Sequence, residues 1–191
     1  MSSLSKRIST KAVLALFLFP VLLGCKEQRT RGIFSKFVQT TVNFPSRLLQ
    51  VYAGMIDTVT IHIERPTLVV YHDRLDCSSC EISHLYKWYG LYKESDKGQF
   101  DIIKIFSPSE DELPEVAQQL GILNFPYPVY IDFNNNFRSY NKKFPEDRRF
   151  HCFLINTEGK PIFVGNPLVS DKLNDLFEAA INQPNLFTLE H

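Results

Sequence analysis

From Thr67 to Asn182 the chain alternates between short unbroken apolar runs and longer stretches in which apolar residues recur every three or four positions. The short runs predict buried strands and the longer pattern predicts amphipathic helices. Strands are expected at Thr67–Tyr71 (TLVVY), Phe100–Phe106, Val129–Phe133, Phe153–Ile155 and Pro161–Val164. One helix is expected over Glu81–Glu94, with Ile82, Leu85, Tyr86 and Tyr89 on one face, and another over Glu110–Leu120. A last helix opens at Asp171, turns Leu173, Leu176, Phe177, Ala180 and Ile181 inward, and ends before Pro184. Thr157-Glu158-Gly159-Lys160 reads as a turn between the last two strands. Upstream, Ile33, Phe34, Phe37 and Val38 have helical spacing, and Asn43-Phe44-Pro45-Ser46 stops that helix. Leu48–Tyr52 and Asp57–Ile63 flank Gly54 as a hairpin. Strand–helix–strand–helix followed by a hairpin and a helix predicts an α/β layer with a partly parallel, mixed sheet. Residues 45–183 form one domain without an internal linker, and 184–191 is a C-terminal tail.

Ahead of this pattern lies a segment of another kind. Lys6, Arg7 and Lys11 precede a short apolar run, Ala12–Leu23, interrupted by Pro20. Residues 1–24 therefore read as a secretory signal. The run is shorter than the roughly 20 residues that span a bilayer. It ends Leu22-Leu23-Gly24-Cys25, which resembles the bacterial lipobox, and Cys25 is the expected lipidation site. Residues 25–44 then form a lipidated tether and short helix. The blander reading is an uncleaved anchor with an incidental cysteine. Acyl chains contribute about 0.8 kcal/mol per buried methylene, so several of them on Cys25 would hold the protein at a membrane. The expected location is the cell envelope, facing the periplasm or at the outer membrane or cell surface. Lys26-Glu27 distantly resembles a surface-export signal and leaves the leaflet open.

Composition adds little to this picture. Hydrophobic residues make up 44% and charged residues 22%, which is a globular balance. Formal charge is zero overall. The leader holds three of the 21 Lys and Arg and none of the 21 Asp and Glu, leaving the exported part at −3. Nothing in this balance favours a nucleic-acid partner.

The candidate chemistry is Cys77-Ser78-Ser79-Cys80, between a buried strand and an amphipathic helix. Unpaired amides and the dipole at a helix start favour a thiolate on Cys77, and Cys80 lies one turn away, within disulfide reach. Cys77 would attack a partner disulfide and Cys80 would resolve the mixed disulfide. Three other readings stay open: a structural bridge, half a metal site with His84 as a further ligand, or an inherited fold without redox turnover.

Thr67–Cys80 (TLVVYHDRLDCSSC), Phe150–Leu168 (FHCFLINTEGKPIFVGNPL) and the closing helix resemble thioredoxin-like lipoproteins of Bacteroidetes, related to the TlpA and ResA type of membrane-tethered thiol–disulfide reductase. The resemblance spans about residues 45–183. It implies a thioredoxin-like fold, with Tyr127–Asn141 as an insertion before the final hairpin. It also implies electron exchange between the Cys77–Cys80 pair and the disulfides or thiols of exported proteins, with neither cofactor nor metal. The resemblance places a proline facing the pair where this chain has Phe150; a competing register puts Gly121–Pro126 there. Asp76 stands where a tryptophan often precedes the first cysteine, and its charge opposes a Cys77 thiolate. With two serines between the cysteines, a moderately reducing pair is expected. Tyr71 falls near the position of the family's buried acid.

The remaining candidates carry milder expectations. Cys152 reads as a small buried residue, with a redox or metal role beside the pair as the sharper option. His84 and His151 could tune the thiols, His72 and Asp73 could line the rim, and Trp88 reads as packing. Asp147-Arg148-Arg149 reads as a solvated loop. The leading expectation is an envelope thiol–disulfide oxidoreductase anchored through lipid on Cys25. The alternative is a redox-inactive binding lipoprotein of the same fold, with a structural disulfide or a metal site.

Overall fold

The computed structural model describes residue 28 and residues 30–183; the predicted leader 1–24, Cys25 and the tail 184–191 lie outside them. Residues 30–38 are helical (α1), and the chain divides into two units after Lys36. Everything below concerns the second unit, from Phe37 onward.

That unit is built on a seven-stranded mixed sheet in the order β2-β1-β5-β4-β3-β6-β7. The strands are β1 (Leu48–Tyr52), β2 (Met55–Val59), β3 (Thr67–His72), β4 (Asp101–Phe106), β5 (Val129–Ile131), β6 (Cys152–Ile155) and β7 (Pro161–Val164). Between β3 and β4 come α2 (Ser78–Ser83), a 3₁₀ turn (Leu85–Trp88) and α3 (Tyr89–Ser95). The helices α4 (Leu113–Leu123) and α5 (Asn136–Tyr140) flank β5, and α6 (Asp171–Asn182) closes the chain. Strands β3, β4 and β5 are parallel, while β6 runs antiparallel to β3 and β7 to β6. The β3–helix–β4 unit followed by the β6–β7–α6 unit on the other side of β3 is a thioredoxin-like arrangement, as the sequence predicts. The 127–141 segment supplies β5 and α5, and β5 joins the sheet beside β4 as well as beside the hairpin strand β1. Ala53 and Gly54, both at positive φ (50° and 74°), make the two-residue turn that matches the strand twist of the β1–β2 hairpin.

Alternation along the strands sorts the core into two layers. Leu68 and Val70 of β3 lie in register with Ile102 and Lys104 of β4 and with Leu154 and Cys152 of β6. This layer packs with Ile82, Leu85 and Trp88 and with Phe177 and Ala180 of α6. The alternate residues Tyr71 and Phe153 face an aromatic layer. There Phe37 meets Phe153 edge-on at 5.1 Å between ring centres, and Phe137 stacks on Tyr71 at 4.9 Å.

Several predicted boundaries shift. The helix expected over Glu81–Glu94 starts earlier, at Ser78, and breaks at His84 before a 3₁₀ turn. In a 3₁₀ turn residues three apart line up, and Leu85 and Trp88 are both buried that way. The expected face fails in consequence: Tyr86 and Tyr89 are exposed, while Leu91 and Tyr92 are buried. The second helix starts three residues later than predicted, after Glu112 has bonded Ser109, and ends at Asn124 in the left-handed region. Leu176 is exposed rather than inward, whereas Phe177 and Ala180 are buried as expected.

Candidate functional site

Cys77 and Cys80 are joined by a disulfide, with their Cα atoms 5.2 Å apart. Both residues are exposed, while Ser78 between them is buried. Strand β3 delivers the chain to this point, and a turn with Asp76 N–H donating to the Asp73 carbonyl at 2.8 Å aims it into α2. Cys77 is the N-cap of α2, and its Sγ accepts from the Cys80 backbone N–H at 3.3 Å. That amide satisfies part of the helix start and is placed to stabilise a thiolate when the bond is reduced.

The charge expected to oppose this thiolate is compensated. Asp76 Oδ1 lies 2.8 Å from Arg148 Nε, and its Oδ2 accepts from the Asp73 backbone N–H at 2.8 Å. Arg148 also donates to the Leu75 carbonyl at 2.6 Å. The segment read as a solvated loop thus begins a 3₁₀ turn, Arg148–Phe150, that clamps the approach to the cysteines; Arg149 pairs with Asp147. Asp73 is buried and held by Arg138 Nε at 2.6 Å.

A buried polar group lies behind the helix. Lys104 is fully buried, its ammonium has no hydrogen-bond partner among the described residues, and it sits 4.4 Å from the Trp88 ring centre. Burial lowers its pKa to about 8, against a smaller opposing pull from Glu81. His72 stacks on Phe106 at 4.7 Å, and its Nδ1 is 3.8 Å from Glu81 Oε2. Burial, and then the Lys104 charge, hold His72 well below the usual histidine range, so its ring is neutral at pH 7. Cys152 flanks Val70 opposite Lys104, and burial pushes its thiol up to about 12, an unreactive value.

A cavity of about 950 Å³ opens between α2 with its 3₁₀ turn and the β7–α6 loop, bordered by Asp76 and Glu81, the neighbours of the two cysteines. Val70, His72 and Cys152 line it from the sheet, and Leu168, Val169 and Leu173 from the far side. His84 and His151 line it too. His151 is buried with Nε2 3.0 Å from the Pro145 carbonyl oxygen, so Nε2–H donates there. His72 therefore reaches the site as expected, while Asp73 serves its ion pair. Phe150 packs into the aromatic layer, 6.5 Å from Phe37. Strand β6 begins at Cys152, which selects the register placing Phe150 before it and leaves Pro126 between α4 and β5. Tyr71, near the expected acid position, donates to Asn135 Oδ1 at 3.0 Å on the opposite face of the sheet; its pKa is raised to about 12, chiefly by burial. Among the described residues no group of three or more His, Cys, Asp or Glu is placed to hold a metal, and no helix is long and apolar enough to cross a membrane.

The sequence reading missed Lys104 and Arg148 as neighbours of the pair. Lys104 carried one signal, as a charge set inside the apolar run Ile102–Phe106 of the strand DIIKIF. The partner of Arg148 is 72 residues away in sequence, and nothing local announces it.

No family model and no curated protein matches the sequence. Solved structures do. The chain is similar to a protein described as thiol:disulfide interchange protein DsbE from Chlorobium tepidum, at 9% identity and a TM-score of 0.48 over 74% of this chain and 98% of that one. It is similar to an uncharacterized thioredoxin-like protein from Porphyromonas gingivalis, at 16% identity and a TM-score of 0.41 over 80% and 97%. It is also similar to AhpC from Enterococcus faecalis, at 12% identity and a TM-score of 0.46 over 74% and 91%. Identities this low assign no activity, and the fold stands on the strand order described above.

Proposed function

We propose that this protein is a thiol–disulfide oxidoreductase of the cell envelope, exchanging its Cys77–Cys80 dithiol and disulfide with exported protein partners. The observation that carries the reading is the Cys77–Cys80 bridge itself, exposed at both residues and set at the mouth of α2. In the reducing direction, the Cys77 thiolate attacks a partner disulfide, forming one S–S bond and releasing one partner thiolate. Cys80 then attacks Cys77 as a thiolate, closes the internal bridge and releases the second partner thiolate. Two electrons pass to the partner, the cysteine protons end on the released thiolates, and a second dithiol restores the pair. The leader 1–24 and the lipobox-like Cys25 support export and lipid anchoring.

The deciding experiment expresses Cys80→Ser protein in cells and separates mixed disulfides without reductant. The expected result is a set of adducts on Cys77 that vanish with dithiothreitol and are absent from Cys77→Ser/Cys80→Ser protein. Absence of adducts, with a Cys77–Cys80 potential well below about −300 mV, would make the bridge structural and return the chain to the binding reading.

A further inference from the structure

We propose that the cavity beside the cysteine pair recognises an acidic side chain of the partner polypeptide, close to the partner's own reactive cysteine. The inference deepens the exchange reading above and rests on it.

The fold leaves few buried polar side-chain atoms without a partner among the described residues, and they concentrate here. His72 Nε2 and His151 Nδ1 belong to residues lining the cavity, and Lys104 Nζ lies against the lining residue Trp88. Buried polar groups normally find partners, so unpartnered ones gathered at an open cavity point to a ligand that supplies them. His72 is the sharpest case. Its Nδ1 is 3.8 Å from Glu81 Oε2, too far for a hydrogen bond, so Nε2 of the neutral ring is open to accept an incoming N–H or to donate to an incoming carbonyl. A polypeptide backbone offers both partners, an N–H and a carbonyl.

Charge selects the side chain beside that backbone. Lys87, Arg148 and Arg149 line the cavity against Asp76 and Glu81. Asp76 is taken up by Arg148, and Lys104 sits beneath Trp88 within electrostatic reach of Glu81. Arg149 is taken up by Asp147, Lys87 makes no ion pair among the described residues, and Lys87 together with the buried Lys104 outweighs the one carboxylate left, Glu81. Apolar surface completes the mouth: Leu168 and Val169 on its edge and Leu75 beside Asp76 are all exposed. A segment bonded through its cysteine to Cys77 crosses this mouth, because Asp76 and Glu81 flank the pair and border the cavity. Its matching chemistry is an acidic residue beside an apolar one.

Two measurements test this. Full-length Cys80→Ser protein, reduced, is offered a random library of peptides that each carry one activated cysteine disulfide, and the captured peptides are sequenced. Aspartate and glutamate should be enriched at least threefold within three positions of the cysteine, and Lys87→Glu should abolish or invert the preference. In the second, oxidised wild-type protein is titrated with a cysteine-free acidic peptide and with its lysine-substituted twin. Trp88, the single tryptophan of the chain, lines the cavity and reports occupancy by its emission. The acidic peptide should bind at least tenfold more tightly. Peptide capture without acidic enrichment, or equal binding of the twins, overturns the inference while exchange stands. Acidic-selective quenching of Trp88 without any capture supports the cavity assignment and removes the exchange reading.

Discussion

The Lys104 ammonium lies 4.4 Å from the centre of the Trp88 ring, fully buried and without a hydrogen-bond partner among the described residues. The ring face attracts the cation, by about 2 kcal/mol where both are desolvated. Burial still wins, because the folded pKa falls to about 8.

A pH-dependent stability difference follows. Below pH 8 Lys104 is charged in both states, and the fold bears the whole cost of burying it, of order 3 kcal/mol. Between pH 8 and 10.5 the folded state sheds the proton while the unfolded chain keeps it, so stability rises with pH, and above 10.5 the penalty is gone. Lys104→Met should therefore be more stable than wild type at pH 7, by about 1–3 kcal/mol, with the gap closing between pH 8 and 10.5. Denaturant unfolding of both proteins across that range checks it. A gap that does not change with pH would refute the assignment.

Thiol accessibility gives a second prediction. In the reduced native protein, iodoacetamide should label Cys77 and Cys80 within minutes and leave Cys152 untouched until denaturant is added. Cys152 is buried and its thiol sits near 12. Peptide mapping by mass spectrometry resolves each cysteine, and early labelling of Cys152 would place it in the redox site after all.

Arg148 should govern the acidity of Cys77. Arg148→Ala leaves the Asp76 carboxylate uncompensated beside the sulfur and should slow Cys77 alkylation at pH 7 by about two- to fivefold, whereas Asp76→Asn should hasten it. Equal rates in all three proteins would mean that this ion pair has no hold on the thiol.

Gly159 offers a test of the fold. Its φ is +76°, and a Cβ there would meet the Val42 carbonyl oxygen at 2.8 Å, against the Val42 N–H bond to the Gly159 carbonyl on the same turn. Gly159→Ala should cost about 1–3 kcal/mol in chemical unfolding, without altering Cys77 alkylation. A neutral substitution would show that this stretch of chain shifts freely.

The strands were the most legible part of the sequence. Pro161–Val164 lies where predicted, and Thr67–Tyr71 gains only His72, because unbroken apolar runs between turn residues have few other uses. The first helix was misread because its capping group is the cysteine itself, and because Leu85 and Trp88 are buried through a tighter turn than a 3.6-residue period allows. Of the site, Cys77, Cys80 and His72 were visible as local pattern. The Asp76–Arg148 bridge and the Lys104–Trp88 contact join distant segments, and only the sheet order brings them together.

The brevity of α2 has its own consequence. Six residues, Ser78–Ser83, align few peptide dipoles, and the backbone kinks at His84 before more can be added. What steadies a thiolate on Cys77 is then a nearby amide and the balance of surrounding ionised groups, much of it open to counter-ions. Mobile salt attenuates such surface fields over about 8–10 Å at 0.10–0.15 M, so the reactivity of this pair should drift with ionic strength far more than that of a sulfur seated on a long, dry helix.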